Sequence, residues 1–447
     1  HTTLNPQGPG VVRIHLIPPK FDLRGNSPSV AILNGQDIVP INTSWAVLLN
    51  VFISQINKYN GNEISSEELE DVVSKSLKIA KKIYPRTSVE RMREDLWKIV
   101  NTFCDIAYGK RPQEEIGYMT IGEYAPFMKA PHRIDLMISS MTKNGKWHCN
   151  EKCLHCYAAG QAQAEVTELT TDSWKKIIDK CKEIGIPQLT FTGGEPTMRK
   201  DLVELIEYAK WFVTRLNTNG IRLTPKLCAE LYKASLDSVQ VTLYSSVKEE
   251  HNVLVGAYED SICYTSTVDG IKNALAAGLN VSVNTPLCKI NADYLKTLEF
   301  LNQLGVKYVS CSGLIVTGNA LNENSRNTQL AEDELYNILK KATSYCKEHS
   351  MEISFTSPGW VAQEKLMELG LTVPTCGACL SNMAIAPNGN VVPCQSWLSE
   401  NAILGNILRD SWNRIWDSTM CKAIRRYSSM TQCKCPLRDG GKQNEKK

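Results

Sequence analysis

Between residues 130 and 340 short apolar runs alternate with amphipathic stretches. Runs of strand length fall at 133–139, 188–192, 213–217, 238–243, 280–286 and 307–312. The intervals carry helical spacing, at 171–184, 201–211, 224–235, 265–277 and 292–304. Six strands alternating with helices predict an α/β fold built on a parallel sheet. In such folds ligands collect at the C-terminal ends of the strands, so polar groups at those ends are the first candidates for chemistry.

Residues 1–115 are patterned differently. Two β-like runs, 30–33 and 37–41, flank a turn at Asn34-Gly35, and a helical stretch covers 44–58. Ser65-Ser66-Glu67-Glu68 then opens a second helix with N-cap chemistry, and an amphipathic segment spans 88–107. This predicts a small α+β domain over 1–115, a central domain over 116–340 and a third over 341–447. The third is punctuated by Cys376-Gly377-Ala378-Cys379, Asn388-Gly389 and Cys394, then by Cys433-Lys434-Cys435-Pro436. The Asn-Gly pair suits a tight hairpin that returns Cys394 toward Cys376.

Composition narrows the function classes. A chain of 447 residues has room for two or three cores, and a formal charge of +3 predicts no nucleic-acid footprint. No apolar run reaches the roughly 20 residues that span a bilayer, and no signal peptide is legible, so a cytoplasmic protein without membrane partners is expected. The 16 cysteines are uneven, with three in one loop and six from Cys376 to Cys435. Clustering without a secretory signal points to metal ligation rather than disulfides. The scattered ones, and Cys421 in its helical run, are expected to be structural.

The candidate chemistry centres on Cys149, Cys153 and Cys156, spaced C-x3-C-x2-C. Three thiolates at this spacing can hold three irons of a [4Fe–4S] cube and leave the fourth open. Structural zinc closes four ligands, usually as paired C-x2-C units; His148 or His155 could supply a nitrogen, so zinc stays open on spacing alone. Some forty residues on, Gly193-Gly194-Glu195-Pro196 ends a strand, and residues 215–220 and 239–245 place further polar groups at strand ends.

Triplet, Gly-Gly-Glu-Pro and strand-end polar groups, in this order, resemble the radical S-adenosylmethionine (SAM) enzymes. The resemblance implies a partial (β/α)6 TIM-like barrel, with Cys149, Cys153 and Cys156 as the catalytic cluster ligands. It implies Tyr157 near the adenine, and Gly193, Gly194 and Glu195 at the methionyl end. Asn219, Thr242, Ser245 and Asn284 are the candidates for the remaining SAM contacts. Many relatives carry an arginine after the fourth strand for the SAM carboxylate; residues 251–256 hold none.

The third segment resembles the SPASM/twitch extension, which carries auxiliary iron–sulfur clusters. That likeness implies one auxiliary cluster, held by Cys376, Cys379, Cys394 and a member of the Cys433/Cys435 pair; the tail lacks the further cysteines of a full extension. The first segment resembles the winged-helix leader-recognition element of enzymes that modify ribosomal peptides. Together these imply a peptide maturase that installs an intramolecular cross-link, with a precursor peptide as substrate and a flavodoxin or ferredoxin as reductant. A peptide epimerase, a sulfatase-type formylglycine maturase and a metal-stabilised peptide-binding scaffold are the alternatives.

Overall fold

The computed structural model describes residues 2–4, 12–17, 21–22, 25–26, 29–34, 37–59, 64–114, 123, 125–257, 262–430 and 434–438. Gly35, in the expected turn, and Cys433 lie outside them. The chain divides into two compact units, residues 1–128 and 129–447.

Among the described residues the first unit holds a four-stranded antiparallel sheet and three long helices. Its strands run in the order Thr2–Leu4, Val12–Ile17, Ser29–Leu33, Asp37–Ile41. The two N-terminal strands were not visible in the hydrophobic pattern. The helices, Thr43–Ile56, Ser66–Ile83 and Val89–Ala107, begin where capping chemistry predicts. Ser65 and Glu68 form a reciprocal capping box, which satisfies two otherwise orphaned N–H groups. Ile14, Leu33, Leu49, Phe52, Leu77 and Phe103 meet in the core.

The second unit is built on a parallel sheet. Strands Arg133–Ser139, Gln188–Gly193, Val213–Thr218, Ser238–Thr242, Asn280–Pro286 and Tyr308–Ser312 pair in sequence order, with helices between them. These are the six expected strands. A seventh parallel strand, Glu352–Phe355, adds to the far edge, so the sheet continues past residue 340. Its four residues are too short to stand out as an apolar run. On the other edge Asn382–Ile385 pairs in parallel with Arg133–Ser139, then turns back as Asn390–Val392. The cysteine-rich segment is thereby joined to the barrel through one continuous sheet.

Alternation along the middle strands separates two faces. On Val213–Thr218 and Ser238–Thr242, Thr214, Leu216, Thr218, Val239 and Val241 are buried while the residues between them stay partly accessible. Asn280–Pro286 repeats this, with Val281, Val283 and Thr285 buried. Among the described residues no helix is long and apolar enough to cross a membrane.

Candidate active site and auxiliary cysteine site

Cys149, Cys153 and Cys156 lie in an irregular loop after the first barrel strand. The loop has no regular structure of its own, so other loops satisfy its backbone. Lys152 and Leu154 N–H groups donate to Val255 and Leu254 carbonyls at 3.0 and 2.8 Å, and Asn319 N–H donates to the Cys156 carbonyl at 2.9 Å. Asn319 Nδ2 donates to the Cys153 carbonyl at 3.1 Å, and Ser325 Oγ to that of Leu154 at 2.8 Å. Gly318 has φ +57°, and a Cβ there would strike the carbonyls of Cys156 and Tyr157. Only glycine permits so close an approach. Residues 251–256, noted for lacking an arginine, serve here as a brace of the cluster loop.

None of the described cysteines is in a disulfide. Burial, above all, pushes the thiols of Cys149, Cys153 and Cys156 up. At Cys153 the charges of Glu151, Cys156 and Cys149 add to it. The Cys153 thiol donates to Glu151 Oε2 at 3.6 Å, and the Tyr244 hydroxyl is hydrogen-bonded to Cys153. Burial, then the nearby Glu195, pushes the Glu151 carboxyl up to about 8. His155 Nε2 is taken by Thr328 Oγ1 at 2.8 Å, which removes one nitrogen from a zinc site. Among the described residues no three Cys, His, Asp or Glu side chains are already drawn into metal-ligating geometry. The fit is therefore chemical: crowded, desolvated thiols whose protons a metal would replace, three in number, as a cluster with one open iron requires.

The strand ends converge on this loop. Glu195 is 1% exposed, and its Oε1 accepts from Thr197 N at 3.0 Å, Thr197 Oγ1 at 2.5 Å and Thr218 Oγ1 at 2.7 Å. Oε2 accepts from Asn219 N at 2.8 Å. Three donors converge on Oε1 and one on Oε2, so Glu195 ties two strand-end loops together while Oε2 keeps acceptor capacity. Gly193, at φ +141°, is required because a Cβ would collide with the Ser139 backbone of the neighbouring strand; the Gly194 N–H donates to the Ser139 carbonyl at 2.8 Å. Asn219 Nδ2 donates to Asn150 Oδ1, in the cluster loop, at 2.7 Å. Thr242 and Asn284 are register partners on adjacent strand ends, and Asn284 Oδ1 accepts from Ser310 Oγ at 2.8 Å. Tyr157 is hydrogen-bonded to Thr192 on the second strand, and burial, Cys156 and Asp135 push its hydroxyl up. Ser245 stands apart: it donates to Glu250 Oε2 at 2.6 Å and accepts from Val247 N at 3.0 Å, the local bonding of a turn.

A second group of thiols forms at the C-terminal segment. Cys394 is pushed up by burial and then by Cys435 and Cys376, which places the three together. Cys379 N–H donates to the Pro393 carbonyl at 3.1 Å, beside Cys394. Helix Thr419–Ser428 packs on the loop 376–379: Ser428 Oγ donates to the Ala378 carbonyl at 2.8 Å and to Cys376 Sγ at 3.6 Å. Seven residues earlier on the same face, Cys421 is hydrogen-bonded to Cys379. Arg425, stacked on Trp416 at 3.8 Å, donates to Cys421 Sγ at 3.4 Å. The Cys379 contact and this guanidinium hold Cys421 below the usual thiol range, while the Cys379 thiol is pushed up. Cys421, expected as a structural residue, is thus a fifth thiol at the auxiliary site. Its i, i+7 relation to Ser428 was the available signal. Asn319, Gly318 and Tyr244 also escaped the sequence reading, since loop–loop bracing leaves no local pattern.

Residues 148–301 match the Radical SAM superfamily, and residues 376–436 match an iron–sulfur cluster-binding domain, SPASM. A parallel α/β barrel with a three-thiol loop at its strand ends, and a second thiol group on the same sheet, defines an iron–sulfur enzyme. The chain is a radical SAM enzyme with a C-terminal SPASM domain, and its cofactors are a [4Fe–4S] cluster, SAM and auxiliary iron–sulfur. It is 28% identical over 290 residues to the AdoMet-dependent heme synthase of Methanosarcina barkeri, covering 60% of this chain and 79% of that protein. It is 26% identical over 295 residues to the PqqA peptide cyclase of Bradyrhizobium diazoefficiens, covering 65% and 75%. The crystal structure of Streptococcus suis SuiB bound to precursor peptide SuiA superposes with a TM-score of 0.57 at 15% identity, over 89% of this chain and 87% of that one. At that identity the likeness is one of fold.

Proposed function

We propose that this chain is a peptide maturase that installs an intramolecular cross-link, a thioether, C–C or C–O bond, in a ribosomally made precursor. The observation that carries the reading is the extent of the SuiB likeness. At 89% of the chain it must reach into residues 1–128, whereas the structure of native anSMEcpe with bound AdoMet superposes over 70%. PqqA peptide cyclase, by its name a peptide-modifying relative, supports the same substrate class.

In this reading residues 1–115 recognise the leader. Strand Asp37–Ile41 pairs on one side only in the described sheet and is partly accessible, an edge suited to accepting a peptide strand. Residues 116–340 are the barrel and 341–447 the auxiliary domain. Cys149, Cys153 and Cys156 hold the SAM cluster, braced by Asn319 and residues 254–255. When bound, the reduced cluster and SAM supply reductive sulfonium cleavage and a 5′-deoxyadenosyl radical for hydrogen abstraction. Gly193, Gly194 and Asn219 frame the methionyl end, with Glu195 positioning them, while Thr242, Asn284 and Tyr157 face the remainder of SAM. Cys376, Cys379, Cys394 and Cys433 or Cys435 hold one auxiliary cluster. The enzyme works in the cytoplasm with a flavodoxin- or ferredoxin-type reductant.

The test is anaerobic turnover of a candidate precursor peptide, deuterated throughout, with SAM and reductant. Deuterium in 5′-deoxyadenosine and a product lacking two hydrogens are expected. SAM cleavage indifferent to every candidate peptide, with no deuterium moved, overturns the reading.

A further inference from the structure

A closed (β/α)8 barrel usually fills its centre with bulky branched side chains. Here the accessible face of the sheet is polar. Strand register sorts its side chains into tiers, because parallel partners point to the same side. Above the strand-start tier of Arg133, Gln188 and Val213, the lowest tier to span four strands holds Asp135, Thr190, Arg215 and Ser238. Thr192, Asn217, Gln240 and Ser282 lie above them with Met137. Thr242, Asn284 and Ser310 form the tier at the strand ends. Arg215, Asn217, Gln240, Ser282 and Asn284 are each partly accessible.

Charge in the lowest tier does not balance. Asp135, 1% exposed, is bound by Arg133 through Nε at 2.9 Å and Nη2 at 3.3 Å. Arg215 makes one hydrogen bond, from Nε to Ser238 Oγ at 3.3 Å, and pairs with no carboxylate among the described residues. Burial and then the Arg133 charge hold Arg215 below the usual guanidinium range, and the Asp135 charge offsets only part of this. The Asn217 side-chain oxygen and the Thr190 hydroxyl are buried on this face without a hydrogen-bond partner, as are Asp135 Oδ1 and Arg133 Nε, which meet as an ion pair. A desolvated cation and orphaned polar atoms on one accessible wall are costly unless something else satisfies them.

We propose that Arg215 is a specificity-determining residue that receives a carboxylate of the substrate inside the barrel. The inference rests on the peptide reading for the class of that carboxylate, an Asp or Glu side chain. Ser238 to Thr242 is four residues of strand, so the lowest tier lies about 13 Å below the strand-end tier. An extended peptide covers that span in about four residues. The acidic residue therefore stands some four positions from the residue modified. Asp135 is ion-paired with Arg133 and forms no salt bridge with Arg215, although its charge still acts on that guanidinium from the same tier.

The test measures binding to the reconstituted full chain with SAM, at low ionic strength, for two probe pairs. One is glutarate against glutaramide. The other is a capped pentapeptide, Gly-Gly-Glu-Gly-Gly, against its Gln counterpart. Wild type should favour each acid by about tenfold or more, the worth of a charge-assisted hydrogen bond. Arg215→Gln should erase the preference with iron content and SAM binding unchanged, and Arg215→Lys should keep part of it. A wild type that does not discriminate either pair, or a preference that survives Arg215→Gln, overturns the proposal. Discrimination of glutarate but not of the peptide upholds the carboxylate site and counts against the peptide reading instead.

Discussion

At the scale of single residues, packing revises what residue type suggests. Glu195 has the charge to meet an ammonium, and its carboxylate is at the same time tied to Thr197, Thr218 and Asn219. Cys421 belongs to a helical run and still ends against Cys379. With Cys379 as the auxiliary ligand, Cys379→Ala should lower iron by about four per chain, the content of one cube. Cys421→Ala should leave the count unchanged and shift the auxiliary cluster's EPR spectrum; an iron loss in Cys421→Ala equal to that in Cys379→Ala would make Cys421 the ligand. A further residue-scale outcome concerns pH. Burial holds His132 and His251 at about 4, against 6.5 in the unfolded chain. The unfolded state then binds more protons between those values, so stability is fully present above 6.5 and falls as pH drops toward 4. Each histidine contributes at most about 3 kcal/mol to that fall. Denaturant titrations of the metal-free chain at pH 7 and pH 5 should show a smaller fall when both histidines are replaced by Gln than in wild type. His155, also held at about 4, and Glu151, pushed up to about 8 and opposing the fall, are common to both.

At the scale of elements, the cluster loop depends on segments far from it in sequence. Its carbonyls at Cys153, Leu154 and Cys156 are satisfied from residues 319–325, and its N–H groups donate to residues 254–255. Gly318→Ala forces a side chain into that contact and should cost about 1–3 kcal/mol locally. We expect site-selective loss, with about four irons missing from the SAM site and the auxiliary site intact. Equal depletion of both sites would mean that the substitution unfolds the whole unit. The strand–helix alternation of the barrel was legible because each run has its own period, and capping residues marked helix starts within a residue or two. The strand Glu352–Phe355 and the pairing of Asn382–Ile385 with Arg133–Ser139 were not, since short strands are selected by the edge they join.

At the scale of the molecule, one sheet carries both cysteine groups of the second unit, which ties SAM chemistry and auxiliary chemistry to a common frame. Reconstituted protein should hold about eight irons, falling to about four when Cys149, Cys153 and Cys156 are all replaced by Ala. About twelve would mean a second auxiliary cluster. The chain's own sequence determined the triplet, the Gly-Gly-Glu-Pro strand end, the order of strands and helices, and the helix caps. These are properties of near neighbours, set by covalent spacing and by periods of two and 3.6 residues. Tertiary structure alone decided that Glu195 pins Asn219, that Cys421 faces Cys379, and that Arg215 forms no salt bridge among the described residues. Each of those outcomes depends on residues more than twenty positions apart being brought together by packing, and no local pattern encodes which of several possible partners a buried group will meet.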